Sequence, residues 1–203
     1  SCDMKIGILA LQGNYSKHEQ LVLELGWDCI HVKYFNDFSS IDGLIIPGGE
    51  STTITKLLVK TNLFHQVKEF AKSYPILGTC AGLILMGTTV SDHRINPLGL
   101  LNIKVNRNAY GSQVHSFTGP LDILDKSEPL MGTFIRAPKI YSVGSQVEVI
   151  ANYKDEPVAV RQGKHIGLTF HPELIREPHF HLMAFSNQYK KISNPENLTA
   201  HVH

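Results

Sequence analysis

The run Gly78-Thr79-Cys80-Ala81-Gly82 constrains the fold of this chain more than any other stretch. It follows the apolar, strand-like Pro75-Ile76-Leu77 and leads into Leu83-Ile84-Leu85-Met86, which continues as a buried helix. A nucleophile framed by small residues at a strand-to-helix turn is the pattern of a nucleophile elbow, here with Cys in place of Ser. The turn is tight, and a Cβ at either glycine would crowd it. It places Cys80 at a helix N-terminus, where free N–H groups and the helix dipole favour a thiolate. The competing reading is a buried Cys in a glycine-containing turn.

The rest of the first half fits a doubly covered parallel sheet. Strands are read at Lys5–Leu11, Asp28–Val32, Gly43–Ile46 and Ile76–Thr79. Helices are read at Ser16–Leu25, Thr53–Leu58 and Leu63–Lys72, with a break near Thr61-Asn62. Alternating strands and helices predict a parallel sheet covered on both faces, with ligands at the carboxyl ends of the strands. The second half changes character. Short strand-like runs at Leu100–Asn106, Val114–Phe117, Gly132–Ile135, Gln146–Asn152, Val158–Gln162 and Ile166–Phe170 are separated by turn residues, which predicts antiparallel additions. A final helix is expected over Glu177–Tyr189, with Pro178 in its first turn and a loose tail over 192–203. One domain over residues 4–191 accounts for the pattern.

Two further segments end at the same side of such a sheet. In Leu168-Thr169-Phe170-His171-Pro172-Glu173, His171 stands at a strand end and precedes a proline, which favours extended backbone. Residues two apart on an extended chain share a side, so His171 and Glu173 are expected to project together. A thiol nucleophile needs a base, and the base needs an orienting group; Cys80, His171 and Glu173 supply these types. Read singly, His171 is an ordinary strand-end histidine and Glu173 a solvated carboxylate. In Ile45-Ile46-Pro47-Gly48-Gly49-Glu50-Ser51-Thr52-Thr53, a strand runs through a glycine pair into a helix start, which suits an oxyanion hole or a carboxylate pocket. The Lys-Ser/Thr ending of a phosphate loop is missing. The plainer alternative is a strand-to-helix turn with Ser51 as N-cap.

Bulk properties exclude several classes. The 203 residues suit one domain with a sound core, and 42% hydrophobic with 18% charged residues fits an ordinary globule. A net charge of +1 gives no nucleic-acid surface. No apolar run approaches the roughly 20 residues of a membrane helix. Three cysteines argue against a disulfide framework, and a reducing, cytoplasmic setting is expected, with Cys29 buried in a strand. His179 and His181, two apart on a helix, do not share a face, so no metal site is expected.

Taken together, Gly78-Thr79-Cys80-Ala81-Gly82 and His171-Pro172-Glu173 resemble the motifs of the class I, or triad, glutamine amidotransferases, a flavodoxin-like α/β family. Pro47-Gly48-Gly49-Glu50-Ser51-Thr52-Thr53, Arg107-Asn108-Ala109-Tyr110-Gly111-Ser112-Gln113, Phe134-Ile135-Arg136-Ala137-Pro138 and the opening Ile6-Gly7-Ile8-Leu9-Ala10-Leu11-Gln12-Gly13 are similar to the glutaminase subunits of pyridoxal phosphate synthase. The resemblance spans roughly Lys5 to Tyr189. It implies hydrolysis of L-glutamine by Cys80, His171 and Glu173, with an oxyanion hole from the N–H groups of Ala81 and of Gly49 in the Gly48-Gly49 turn. It implies a substrate pocket of Gly49, Glu50, Ser51, Arg107, Ile135 and Arg136, with Arg suited to the α-carboxylate and Glu50 to the α-ammonium. It implies no cofactor, and a separate (β/α)-barrel synthase subunit as acceptor of the ammonia. Such a barrel needs about 250 residues of its own. The alternatives are a glutaminase subunit of another biosynthesis, an elbow-cysteine hydrolase or stress protein, and a non-catalytic scaffold.

Overall fold

The computed structural model describes residues 4–13, 15–107 and 116–186. Its first half runs β1 (Lys5–Leu9), α1 (Ser16–Glu24), β2 (Asp28–Val32), β3 (Gly43–Ile46), α2 (Ser51–Lys60), α3 (Leu63–Ala71), β4 (Ile76–Thr79) and α4 (Ala81–Met86). The second half runs β5 (Thr89–Val90), β6 (Ile103–Asn106), β7 (Ser116–Ile123), β8 (Leu130–Ile135), β9 (Lys139–Val143), β10 (Glu148–Tyr153), β11 (Glu156–Gln162), β12 (His165–Leu168) and α5 (His179–Phe185). A 3-10 turn at Pro172–Ile175 joins β12 to α5.

One nine-stranded sheet carries the molecule, in the order β2-β1-β3-β4-β12-β11-β10-β7-β8. The strands from β2 through β12 are mutually parallel, and those from β12 to β8 pair antiparallel. The parallel sheet expected of the first half and the antiparallel strands expected of the second are therefore one continuous sheet. β5, β6 and β9 form a separate three-stranded sheet.

The parallel strands are apolar throughout because both faces are covered. Leu44 and Ile46 of β3 pack with Ile54 and Leu58 of α2, Val67 of α3 and Leu83 and Leu85 of α4. Ile45, between them, packs on the opposite face with Val22 of α1 and Phe180 and Phe185 of α5. Each fully buried side chain of this kind contributes about 1.5–3 kcal/mol relative to its exposure in water. The break between α2 and α3 falls at Asn62, which takes the left-handed conformation (φ 60°) that Asn tolerates better than most residues.

Several boundaries differ from the sequence reading, each for a local reason. β7 runs through Gly119 and Pro120, which read as turn residues. β10 pairs with β7 only at Asp122 and Ile123, so no partner on that side needs the N–H that Pro120 lacks. β9 has no counterpart among the strands read from the sequence, because much of Lys139–Val143 is solvent-facing and its pairing with β6 is long-range. The last helix starts at His179, with Pro178 as N-cap rather than inside the first turn. The expected end of that helix beyond Ser186 and the tail over 192–203 lie outside the described residues. Cys29 is only half-buried, because β2 is an edge strand.

Candidate active site

β4 is buried along its whole length and leads directly into Cys80, the N-cap of α4. Cys80 sits at φ 53°, ψ −103°, a conformation costly for any residue with a side chain and held here by its surroundings. Its N–H donates to the Leu168 carbonyl of β12 at 2.9 Å. Its own carbonyl accepts from Ile84 N–H at 3.1 Å, the first bond of α4. The flanking glycines are sterically required. A Cβ on Gly82 would lie 2.0 Å from the Ile46 carbonyl oxygen, and one on Gly78 would lie 2.7 Å from the carbonyl carbon of Gly82.

The antiparallel half of the sheet returns to this point. His171 N–H donates to the Thr133 carbonyl of β8 at 2.8 Å, and Cys80 Sγ lies 3.8 Å from the Ile135 carbonyl oxygen. Phe134 packs against Phe170 with ring centroids 5.7 Å apart. The edge strand β8 thus forms one wall beside the elbow.

His171 and Glu173 do meet, but not on an extended strand. Pro172–Ile175 is a 3-10 turn with His171 (φ −117°, ψ 85°) as its N-cap. β12 ends at Leu168, and the rigid φ of Pro172 starts the turn that brings Glu173 back beneath the imidazole. His171 Nδ1 lies 2.6 Å from Glu173 Oε1. A carboxylate only accepts, so Nδ1 carries the proton and Nε2 is left for the sulfur. Burial lowers the His171 pKa, but hydrogen bonds to Cys80 and Glu173 and their charges more than offset this and raise it to about 10. Burial likewise opposes the charge of Glu173, which is 4% exposed. The neighbouring imidazoles of His18 and His171, with the His171 hydrogen bond, nevertheless hold it down at about 2. Both shifts favour an ion-paired triad.

A cleft of about 550 Å³ opens over the elbow. All ten site residues expected from the sequence line it: Gly49, Glu50, Ser51, Cys80, Ala81, Arg107, Ile135, Arg136, His171 and Glu173. Gln12, Lys17, Ile84 and Leu174 join them without having been anticipated. Gln12 fixes the glycine turn: its side-chain oxygen accepts from Glu50 N–H at 2.9 Å, and a Cβ on Gly49 would come within 2.6 Å of it.

The charged side of the cleft differs from the simple expectation. Glu50, not Ser51, is the N-cap of α2. Its carboxylate accepts from Thr52 N–H at 3.3 Å, Thr53 N–H at 2.7 Å and Thr53 Oγ1 at 2.7 Å, and also from the Thr52 hydroxyl. Burial raises its pKa, and these hydrogen bonds together outweigh that and bring it down to about 2. Ser51 becomes the first helical residue, with a buried hydroxyl that has no hydrogen-bond partner among the described residues. Arg107 pairs with Glu50 and, through Nη1 at 2.8 Å, with Asp92. Asp92 in turn holds Arg94 at 2.6 Å. The fork of Arg107 is therefore already turned to two protein carboxylates, and among the described residues Arg136 is the cleft arginine without a carboxylate partner. Asp92 carried no sequence signal, because its link to Arg107 spans a loop and a strand. Among the described residues no group of side chains is arranged to hold a metal ion, and no helix is long and apolar enough to cross a membrane.

Elbow cysteine, buried His–Glu pair and adjoining anion-ready glycine turn are the layout of the triad amidohydrolases built on a parallel α/β sheet. The chain belongs to the SNO glutamine amidotransferase family, which it matches over residues 8–190. It is 45% identical over 179 residues to the pyridoxal 5'-phosphate synthase subunit PdxT of Shouchella clausii (strain KSM-K16), covering 88% of this chain and 92% of that one. It is 47% identical over 178 residues to the subunit of the same name from Oenococcus oeni (strain ATCC BAA-331 / PSU-1), covering 88% and 93%. Among solved structures, a glutamine amidotransferase at 37% identity superposes with a TM-score of 0.83, covering 90% of this chain and 98% of that chain. PurLQS from Thermotoga maritima, at 15% identity, superposes with a TM-score of 0.67, covering 92% and 99%, and shares the fold.

Proposed function

We propose that this glutaminase hydrolyses L-glutamine to glutamate and ammonia through Cys80, His171 and Glu173, and hands the ammonia to a separate (β/α)-barrel subunit that makes pyridoxal phosphate. The observation that carries the chemistry is the 2.6 Å contact of His171 Nδ1 with the buried Glu173, which leaves Nε2 for its other hydrogen-bond partner, Cys80, held in a strained elbow. With the thiol proton held on His171, the thiolate of Cys80 attacks the side-chain amide carbonyl. The N–H groups of Ala81 and Gly49 receive the oxyanion; losing one such donor typically costs about a hundredfold or more. His171 then protonates the departing ammonia and, in the second half, activates water against the thioester. Glu173 keeps the tautomer and stabilises the imidazolium.

Recognition of the amino-acid end falls to Glu50, Ser51, Arg107, Ile135 and Arg136. Their contacts support unequal parts for these residues. Arg136 has no carboxylate partner among the described residues and is suited to the α-carboxylate, whereas Arg107 locks Glu50 at the helix start. Glu50 stays anionic beside the cleft and faces the α-ammonium. Gly48 and Gly49 give the oxyanion turn the freedom to reorient on docking of the partner. An identical Gly48-Gly49 peptide orientation in crystals of the free and the docked chain would sink that part of the reading.

The acceptor is supported by relatives at 45% and 47% identity that carry the name of a pyridoxal 5'-phosphate synthase subunit. The deciding experiment measures ammonia release from L-glutamine by the chain alone and with a pyridoxal phosphate synthase barrel, with Cys80→Ala as control. Release that rises on mixing and vanishes in Cys80→Ala is expected. Silence in both states, with a barrel that accepts free ammonia, would redirect the assignment to another acceptor synthase.

A further inference from the structure

Behind the triad lies a second, fully buried pair of imidazoles that the hydrolytic scheme does not use. His18 of α1 and His181 of α5 are both 0% exposed, and His18 Nδ1 lies 3.0 Å from His181 Nε2. His18 Nε2 points the other way. It lies 3.2 Å from Thr79 Oγ1, one residue before the nucleophile, and 3.5 Å from Glu173 Oε2. Glu173 Oε1 is committed to His171, while Oε2 is buried and has no hydrogen-bond partner among the described residues. Four elements therefore converge behind the carboxylate: α1, α5, the end of β4 and the 3-10 turn. The titratable groups they bring together are His18, His181, His171 and Glu173.

Proton counting fixes the tautomers. Suppose His18 carried its proton on Nδ1. Its bare Nε2 would then oppose the carboxylate lone pairs. His181 would have to accept at Nε2, leaving an N–H on its Nδ1, a buried atom without a hydrogen-bond partner among the described residues. Orphaned buried N–H groups are rare and costly. In the reverse arrangement His181 Nε2–H donates to His18 Nδ1, and His18 Nε2–H faces Thr79 Oγ1 and Glu173 Oε2. The atom left bare is then an acceptor, His181 Nδ1. Burial also keeps both rings neutral. It lowers the His18 pKa against the pull of Glu173, with the nearby His171 lowering it further, and takes that of His181 to about 3.

We propose that His18 is a positioning residue for the triad: its neutral Nε2–H secures the second oxygen of Glu173 and so holds the first in line with His171, while His181 fixes the tautomer of His18 that does so. The proposal rests on the reading of Cys80, His171 and Glu173 as the hydrolytic triad. A carboxylate gripped at one oxygen can swing about its last bond, whereas one gripped at both cannot. A neutral donor is the right kind of grip, because a cation at His18 would compete with the His171 imidazolium for the same charge. The 3.5 Å separation is longer than a formed hydrogen bond and fits one that closes in the substrate complex, as catalytic contacts of a free enzyme commonly do.

The test compares His18→Phe, which keeps a ring but no donor, with His18→Gln, which keeps an N–H. Each is made in wild-type and Glu173→Gln backgrounds. Glutaminase kcat and KM are measured with the synthase partner, and the pH dependence of Cys80 alkylation by iodoacetamide is followed in the chain alone. His18→Phe is expected to lower kcat about tenfold to a hundredfold, as small misplacements of catalytic groups do, with KM within about twofold. It should also move the alkylation midpoint to higher pH. His18→Gln should recover most of the loss, and His18→Phe should add little once Glu173 is Gln. Wild-type kcat and alkylation in His18→Phe would overturn the proposal, as would equal losses in His18→Gln, or an undiminished further loss in the Glu173→Gln background. A Glu173→Gln single variant with wild-type activity would instead overturn the triad reading beneath it. If His18→Phe does not fold, nitrogen-15 NMR of the wild-type chain decides. Nε2–H on both His18 and His181 supports the arrangement, and Nδ1–H on His18 refutes it.

Discussion

The cleft has two carboxylates whose pKa values are both lowered to about 2, Glu173 and Glu50, yet the two sides of the cleft they anchor are built on opposite plans. Glu173 is 4% exposed and its ionic partner is an imidazole that, in the proposed reaction, changes protonation state. Glu50 is 39% exposed and is saturated by the first turn of α2 and by the Arg107 guanidinium. On the elbow side charge is kept movable, with one proton passing between sulfur and nitrogen. On the glycine-turn side charge is fixed, so that the shape of the pocket does not depend on pH. A low carboxylate pKa thus marks two different jobs here, distinguished by what the carboxylate is paired with.

Variants on the two sides should separate cleanly in kinetics. The largest effect belongs to the elbow: Cys80→Ala should lower kcat about 10⁴-fold or more in the complex with the synthase partner, with L-glutamine still bound. Glu173→Gln should follow at about 10²–10⁴-fold in kcat with KM little changed, since the orienting acid acts through His171 and not on the substrate. On the other side Arg136→Met should chiefly raise KM, by about tenfold to a hundredfold, the loss of one charge-assisted interaction of ~1.5–3 kcal/mol. If Arg136→Met lowered kcat and left KM alone, or Glu173→Gln did the reverse, the division of labour would be wrong.

The pH dependence of stability sharpens the same contrast. The folded-state pKa of Glu173 lies below its ordinary 4.5, so its contribution is fully present above 4.5 and is lost as pH falls toward about 2. That of His171 lies above its ordinary 6.5, so its contribution is fully present below 6.5 and is lost as pH rises toward about 10. The two windows overlap between 4.5 and 6.5. Thermal unfolding of wild type against Glu173→Gln should show its widest gap there, about 5–10 °C, and a narrower one toward either extreme. A gap that does not vary with pH would mean that the pair is not ionised as its geometry implies.

The elbow side was legible in the sequence because its information is local. Gly78, Cys80 and Gly82 lie within five residues, and their spacing states the turn they make. The spacing of His171 and Glu173 is enough to pair them, although the backbone between them is a 3-10 turn and not the extended segment that a residue before proline favours. An extended segment and a 3-10 turn both set residues two apart on one side, and only the run from Pro172 to Ile175 in three dimensions tells them apart. What the sequence hid is what depends on distant segments. The Arg107–Asp92 pairing is one case. Another is the return of β8 to His171, which crosses the sheet by way of four antiparallel pairings. His18 was hidden for the same reason. On α1 it reads as one histidine among polar residues, and only packing of α1 and α5 on the same face buries it beside Glu173.

The smallest predicted effect concerns Arg94, and it tests whether fixed charge on the glycine-turn side is truly redundant. Arg94 grips Asp92 from solvent, being 64% exposed, while Arg107 grips it from within at 21% exposure. Asp92 also accepts from the Arg94 backbone N–H at 3.0 Å, a bond that survives loss of the side chain. Arg94→Ala should therefore leave Asp92 in place and the Arg107 fork unmoved, with a change in KM below about twofold, the scale of an exposed ion pair. Asp92→Ala removes the anchor itself. It frees one arm of Arg107 beside Glu50 and should raise KM several-fold more than Arg94→Ala does. Equal effects of the two substitutions would show that the solvent-side arginine, not the backbone turn, holds the pocket wall. The contrast between a movable elbow and a fixed binding side would then reduce to one between two surfaces of unequal depth.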